Sequence, residues 1–354
     1  MANNVIRVGL IGAGGNTRSR HIPGFRKQEG IELVAVANRT PESAKKVADE
    51  FGIAKVAADW TELLADDGVD AVCIGTWPYM HEQLTIAALQ AGKHVLCEAR
   101  MAMNLAQARA MLKESRRHPA LTAQIVPAPH TLAFDKTIIG MIGSGYIGKL
   151  ITLDARVTVN SDFPKWESPV HWRHDKVLSG NNIMGMGIWY EAMMRWVGQA
   201  SSVHAIGQSV VAYRTDKAGA RVAMTIPDHV DIIGRMEQGG QMRFNFSTVV
   251  GLAPASAEVH IFGTEGTIAL RQDKEGKMSL WSGKRGDSDL KEVAIDPAKR
   301  GGWRVEEEFV NAIRGREPVT HTDFATGVKY MEWTDAVTMS LRSGNSVQLP
   351  LMEG

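Results

Sequence analysis

The chain has 354 residues, 44% of them hydrophobic, with 40 basic and 39 acidic side chains and a formal charge of +1. Charges so balanced and so mixed give no field to draw in a nucleic acid or an anionic membrane, and the length suits two domains better than one core. The two cysteines, Cys73 and Cys97, lie in apolar runs, which argues against a disulfide framework or a zinc site. No apolar run reaches membrane-spanning length and the N-terminus lacks a signal-peptide layout, so a cytoplasmic location is expected.

An apolar run over residues 5–11 stops at Gly12-Ala13-Gly14-Gly15. That pattern predicts a buried strand turning sharply into a helix whose first N–H groups are free to bind a phosphate. Gly12 and Gly14 supply the tight turn and the close approach to a pyrophosphate, and Gly15 and Asn16 follow on. A GxGxxG count puts the third glycine at Thr17, so either the helix starts one residue later or the Thr17 hydroxyl caps it. A second strand over 31–37 ends at Asn38-Arg39-Thr40. Residues 41–51 have helical spacing, with Ala44, Val47, Ala48 and Phe51 on one face. A short strand is expected at 56–58, a helix at 60–64, and a buried strand at 69–74 that ends in Gly75-Thr76-Trp77-Pro78. A helix over 81–91 and a strand over 94–97 lead to Glu98-Ala99-Arg100.

This alternation predicts an α/β unit with a parallel sheet covered on both faces. Ligands in such sheets sit at the carboxyl ends of the strands, which gathers Gly12–Thr17, Asn38–Thr40, Thr76–His81 and Glu98–Arg100. A dinucleotide is the expected cofactor, with Gly12, Gly14, Gly15, Asn16, Thr17, Asn38, Arg39, Thr40, Thr76, Trp77, Pro78, His81 and Glu98 as its binding residues. A carboxylate at the end of the second strand favours NAD; an arginine accepts the 2′-phosphate of NADP. Asn38, Arg39 and Thr40 include no acid, so NADP is favoured over NAD. His81, at the start of a helix, is expected to stay neutral and to act as a hydrogen-bonding group.

Further on the pattern alternates with period two at 150–159, 203–214, 230–237, 241–249, 257–262, 267–271 and 278–281, with a turn at 273–276. Helices are expected at 305–313 and from about 325 to 343. The predicted domains are 1–125 and 126–354.

Five stretches resemble one family, the glucose-fructose oxidoreductase, inositol dehydrogenase and rhizopine-catabolism group. They are IGAGG at 11–15, DAVCIGTWPYMHEQLTIAALQAGKHVLCE at 70–98, GSGYIGKL at 143–150, FGTEGTIAL at 262–270 and EEEFVNAIRGREPVTH at 307–321. The resemblance implies a Rossmann domain joined to an α+β domain with a large, mostly antiparallel sheet open on one face. An open, apolar, edge-rich face predicts self-association as a homodimer or homotetramer. The resemblance also implies hydride transfer between nicotinamide and a hydroxyl or carbonyl of a sugar, polyol or related small molecule.

The departures from the family bear on mechanism. Where the family has Glu-Lys-Pro this chain has Glu98-Ala99-Arg100, and aligned on Gly187 the family's Asp and His positions hold Gly185 and Trp189. All three usual catalytic groups are replaced. Candidates to stand in are Tyr190 as a proton relay, His174 (with Asp175) and His130 as acid or base, and Arg100 as an anion-binding group, a guanidinium being a poor proton donor. Glu191 lies beside Tyr190, on another helix face. Trp77 and Trp189 are candidate apolar walls. His171 and His174 find no third ligand, so no metal is expected. His21 joins no constellation that the sequence reveals. Two alternatives stay open: a lyase, glycosidase or epimerase that cycles its dinucleotide without net redox change, and a non-catalytic dinucleotide- or sugar-sensing regulator.

Overall fold

Runs of buried aliphatic residues form the first sheet of the computed structural model, which describes residues 5–352. Its strands are β1 (Ile6–Ile11), β2 (Ile31–Ala37), β3 (Lys55–Val56), β4 (Ala71–Ile74), β5 (His94–Cys97) and β6 (Ala123–Ile125). They run parallel in the order β3-β2-β1-β4-β5-β6. Every residue of β4 is buried, as covering both faces of a sheet requires. The connecting helices are α1 (Ile22–Arg26, preceded by a wider helical turn at Thr17–His21), α2 (Pro41–Phe51), α3 (Trp60–Leu64), α4 (Pro78–Gln90) and α5 (Leu105–Arg117). Thr40, Asp59 and Asn104 cap α2, α3 and α5, each accepting a backbone N–H. The strand order reverses between β1 and β4, which opens a crevice at the carboxyl ends of those strands.

The second sheet has nine strands in the order β16-β15-β14-β13-β7-β12-β11-β8-β17. They are β7 (Leu150–Val157), β8 (Ala200–Gln208), β11 (His229–Met236), β12 (Gln241–Ser247), β13 (Ala257–Gly263), β14 (Gly266–Gln272), β15 (Met278–Lys284), β16 (Lys291–Glu292) and β17 (Val347–Gln348). All neighbours are antiparallel except β7 and β12. A separate hairpin joins β9 (Tyr213–Thr215) and β10 (Arg221–Ala223). The helices are α6 (Asp135–Gly143), α7 (Lys176–Ser179), α8 (Met186–Val197), α9 (Val305–Ile313) and α10 (Phe324–Ser343). Alternation turns Leu153, Ala155, Ile232, Phe244 and Phe246 inward. The other face is mixed, not the apolar surface expected. Ile206 and Ile233 are exposed there, but Asp231 stands opposite Asn245, and Arg243 pairs with Asp154. The same alternation that fills the core places polar residues between these isoleucines.

By packing, the chain divides into Met1–Pro127 with Trp303–Met331, and Ala128–Gly302 with Glu332–Gly354. This corrects the single cut expected at 125/126. The late segment returns because α9 presents an apolar stripe, Val305, Phe309 and Val310, to the core of the parallel sheet. Phe309 meets Phe25 edge-on at 6.3 Å between ring centroids, and both are fully buried. The Ile125 N–H donates to Thr322 O at 2.9 Å, and Gln124 Nε2 to Glu308 Oε2 at 2.9 Å. Truncating Phe309 to Ala leaves a cavity in the first unit. We expect a loss of about 3–5 kcal/mol in equilibrium denaturation.

Candidate functional site

β1 ends at Gly12, which has φ +81°. A Cβ there would lie 2.5 Å from Thr76 Cγ2 and 2.8 Å from Thr76 N, so only glycine lets the β1 turn lie against the β4 turn. The turn spends its own first amides. Gly12 N–H donates to Ala37 O at 2.8 Å, Ala13 N–H to Asn38 Oδ1 at 2.7 Å and Gly14 N–H to Gly12 O at 2.8 Å. The helix then starts at Gly15, and the N–H groups of its first turn have no acceptor within the helix. Above them there is room: a Cβ on Gly15 would meet nothing within 4 Å. Thr76 Oγ1 is buried and bonds to none of the described residues. A glycine turn, unspent helix amides, open space and an orphaned hydroxyl fit the pyrophosphate of a dinucleotide. Thr17 does not cap the helix. Its hydroxyl packs against Gly75, which has no room for a Cβ.

At the end of β2, Asn38 is committed to Ala13, and Thr40 Oγ1 accepts from Ser43 N–H as the cap of α2. Arg39 is exposed, its guanidinium 5.9 Å from the Trp77 ring. Trp77 precedes α4, and Pro78 takes its first position, where a missing N–H costs nothing. His81 is fully buried. Its Nδ1 lies 2.9 Å from Arg100 O and its Nε2 2.9 Å from Thr76 O, so the ring sits between the loops after β4 and β5, and its single N–H in the neutral form donates to one of them. Burial holds its pKa below the ordinary histidine value, although the carbonyls pull the other way.

The loop after β5 holds the feature that the sequence hid. Glu98 Oε1 lies 2.9 Å from His21 Nε2 and also accepts from Asn16 Nδ2. The other imidazole nitrogen, His21 Nδ1, lies 2.5 Å from Glu306 Oε1, and Trp303 Nε1 donates to Glu306 Oε2 at 2.9 Å. His21 is fully buried. Burial disfavours its charge, yet the bonds to Glu306 and Glu98 prevail and raise its pKa to about 9. Burial pushes the Glu98 carboxyl the opposite way, and the His21 bond brings it below the usual carboxylate range. No local pattern could have shown this, because Glu306 lies 285 residues along the chain from His21. Arg100 is 2% exposed. Among the described residues no group of His, Cys, Asp and Glu is arranged to hold a metal, and no helix is long and apolar enough to cross a membrane.

In the second unit the relay candidate Tyr190 is a core residue. It is 2% exposed, stacks on Trp333 with centroids 4.2 Å apart, and accepts the Ala200 N–H at 2.9 Å. Burial raises its pKa, which opposes proton release. Its neighbour Glu191 anchors a network. Glu191 Oε2 accepts from Ala128 N–H at 2.9 Å and from Arg195 Nη2 at 2.6 Å, while Arg195 also donates to Ala128 O at 2.9 Å and pairs with Asp135. Both polar groups of the Ala128 peptide are thereby clamped to α8. Two residues on, the His130 ring lies flat on Trp189, centroids 4.6 Å apart and planes within 2°. His171, His174 and Asp175 organise their own loop. His171 Nδ1 accepts from Arg173 N–H at 3.3 Å, His174 Nδ1 from His171 N–H at 3.2 Å, and Asp175 Oδ1 from Val177 N–H at 2.8 Å. Burial and the Arg214 charge lower the His174 pKa to about 4.

A model of the oxidoreductase family with an NAD-binding Rossmann fold matches residues 6–124, and the C-terminal domain of the same GFO/IDH/MocA family matches residues 136–269. The chain is 30% identical over 303 residues to a 1,5-anhydro-D-fructose reductase of Ensifer adhaerens, covering 82% of this chain and 84% of that one. It is 25% identical over 300 residues to a levoglucosan dehydrogenase of Pseudarthrobacter phenanthrenivorans, covering 76% and 70%. A solved levoglucosan dehydrogenase, in complex with NADH and levoglucosan, superposes with a TM-score of 0.83 at 21% identity over 98% of this chain and all of that one.

The raised His21 pKa gives stability a dependence on pH. A histidine whose folded pKa is raised contributes fully below its ordinary value of 6.5, and the contribution is lost as pH rises through about 9. Thermal unfolding midpoints should therefore fall between those pH values. The fall should vanish in His21→Gln.

Proposed function

This chain belongs to the GFO/IDH/MocA family of NAD-binding Rossmann-fold oxidoreductases, and from that premise we propose that it oxidises or reduces a sugar, polyol or related hydroxylated small molecule. The observation that carries this reading is the β1 turn, where Gly12 lies against Thr76 below the unspent amides of Gly15, Asn16 and Thr17. Relatives named for anhydrofructose reduction and levoglucosan oxidation support the substrate class.

A bound nicotinamide supplies the hydride acceptor or donor. This chain's residues must hold the dinucleotide and move the hydroxyl proton. The unspent helix amides would receive the pyrophosphate, and the Thr76 hydroxyl is a further donor there. Arg39 is the residue at the end of β2 that suits a 2′-phosphate, so NADP is preferred over NAD in this reading. With Ala99, Gly185 and Trp189 at the positions of the family's Lys, Asp and His, the proton falls to another group. Tyr190 is buried in the core of the second unit, and His174 Nδ1 accepts the His171 N–H within its own loop. His130 is the group we assign. Its imidazole lies on Trp189, beside the position of the family histidine, and the Glu191–Arg195–Asp135 network stiffens the loop that carries it. A ring nitrogen of His130 would take the hydroxyl proton during oxidation and return it during reduction. The homodimer or homotetramer expected from sequence would use the open face of the nine-stranded sheet, through Ile206 and Ile233 and the charges between them.

A panel of sugars and polyols scanned at the reduced-cofactor absorbance band tests the reading. Turnover of none of them, with dinucleotide still bound, would remove it in favour of the sensing alternative. With a substrate in hand, His130→Asn should lower kcat about a hundredfold and flatten the pH–rate profile while the dinucleotide Kd stays put. Unchanged kcat would take the proton role from His130. Arg39→Ala should weaken NADP binding about tenfold and leave NAD nearly unaffected, read by fluorescence titration. Equal losses for both would mean that Arg39 does not discriminate.

A further inference from the structure

Glu98, His21 and Glu306 are held in one line. Each ring nitrogen of His21 faces a carboxylate oxygen, at 2.9 Å on one side and 2.5 Å on the other. A neutral imidazole has only one N–H and would turn a bare lone pair toward one of the acids, so the geometry calls for a second proton. Whether that proton rests on the imidazole or on one carboxyl, the three groups together carry a charge of minus one. Glu98 follows Cys97, the last residue of β5, and Asn16, on the helix that opens after the glycine turn, donates to it. The cluster therefore stands at the carboxyl edge of the parallel sheet, on the helix and loop that flank the crevice. Its far end is fixed by the return segment. Trp303 bonds Glu306, Arg20 lies 4.6 Å over the Trp303 ring, and a Cβ on Gly24 would collide with Glu306. Burying two acids around one base costs free energy that the bonds to His21, Asn16 and Trp303 offset, and nothing in the proton transfer assigned to His130 uses the arrangement.

We propose that His21 and Glu306 are positioning residues for the dinucleotide: they fix the Glu98 carboxylate, and the net negative charge of the cluster biases the site toward the oxidised form of the cofactor. This rests on the reading of the crevice as a nicotinamide dinucleotide site. Oxidised and reduced cofactors differ by one positive charge on the nicotinamide ring. A fixed anionic cluster in a partly desolvated crevice favours the charged ring over the neutral one. The protein would thereby hold its cofactor ready to accept hydride from a hydroxyl group. Aligning Glu98 is the mechanical part of the role, and the charge is the part that distinguishes it from packing.

The test is binding, not turnover. Kd for the oxidised and the reduced dinucleotide would be titrated on wild type and on Glu306→Gln, which keeps the shape and, with its amide oxygen turned to His21, makes the cluster neutral. The ratio of reduced to oxidised Kd should fall by about three- to thirtyfold, mostly through weaker binding of the oxidised form. Glu308→Gln is the control. Glu308 is another buried acid of α9, bonded to Gln124 and Thr320, so its loss disturbs the helix without touching the cluster. Its ratio should match wild type. If Glu306→Gln does not fold, Glu98→Gln removes the same charge and must show the same shift. Binding of both forms with an unmoved ratio would overturn the proposal. Binding of neither form to wild type would instead overturn the dinucleotide reading beneath it.

Discussion

A parallel sheet buried on both faces can offer chemistry only at its ends, and that constraint orders the first unit. The faces are closed by helices, so every group that meets a ligand must come from the loops at the carboxyl edge. Those loops cannot be left slack. His81 sits between the loop after β4 and the loop after β5, with a carbonyl oxygen facing each ring nitrogen. His21 ties the opening helix to the loop after β5 through Glu98. Asn38 ties the end of β2 to the glycine turn. Three side-chain bridges, two of them from fully buried histidines, thus replace the rigidity that a longer hydrogen-bonded element would have supplied.

Most of the architecture was legible in the chain because it rests on local patterns. Apolar runs broken by glycine mark β1, β2, β4 and β5. Period-two alternation marks β11 to β14, and a 3.6-residue stripe marks α9. What could not be read depends on residues far apart in sequence. His21 looks like one more helical histidine until Glu306 is folded against it. Tyr190 looks like a relay until Trp333 covers its ring and Ala200 takes its hydroxyl. The helix start was ambiguous at Thr17 because a threonine there can cap, and only the fold shows that hydroxyl against Gly75. The open sheet face was judged by its edges, whereas its polarity is set by which residues the register turns outward.

The departures from the family pattern look different once placed. Ala99 and Arg100 sit in a loop held from both sides, by Glu98 with His21 and by His81. In the second unit an imidazole, His130, lies on the Trp189 ring. Fold alone would not have suggested this, since the same scaffold carries many chemistries.

The return of Trp303–Met331 to the first unit has a consequence for biogenesis. While the ribosome is still extending the chain, residues up to Pro127 lack the partners of Phe25, His21 and Gln124. Those partners emerge only after a further 176 residues, from 127 to 303. At ordinary translation rates of about 5–20 residues per second, that delay is roughly 10–35 s. Through it the nascent nucleotide-binding half carries an uncovered apolar patch and a His21 that still lacks Glu306. Vectorial, one-half-then-the-other maturation is closed to this polypeptide.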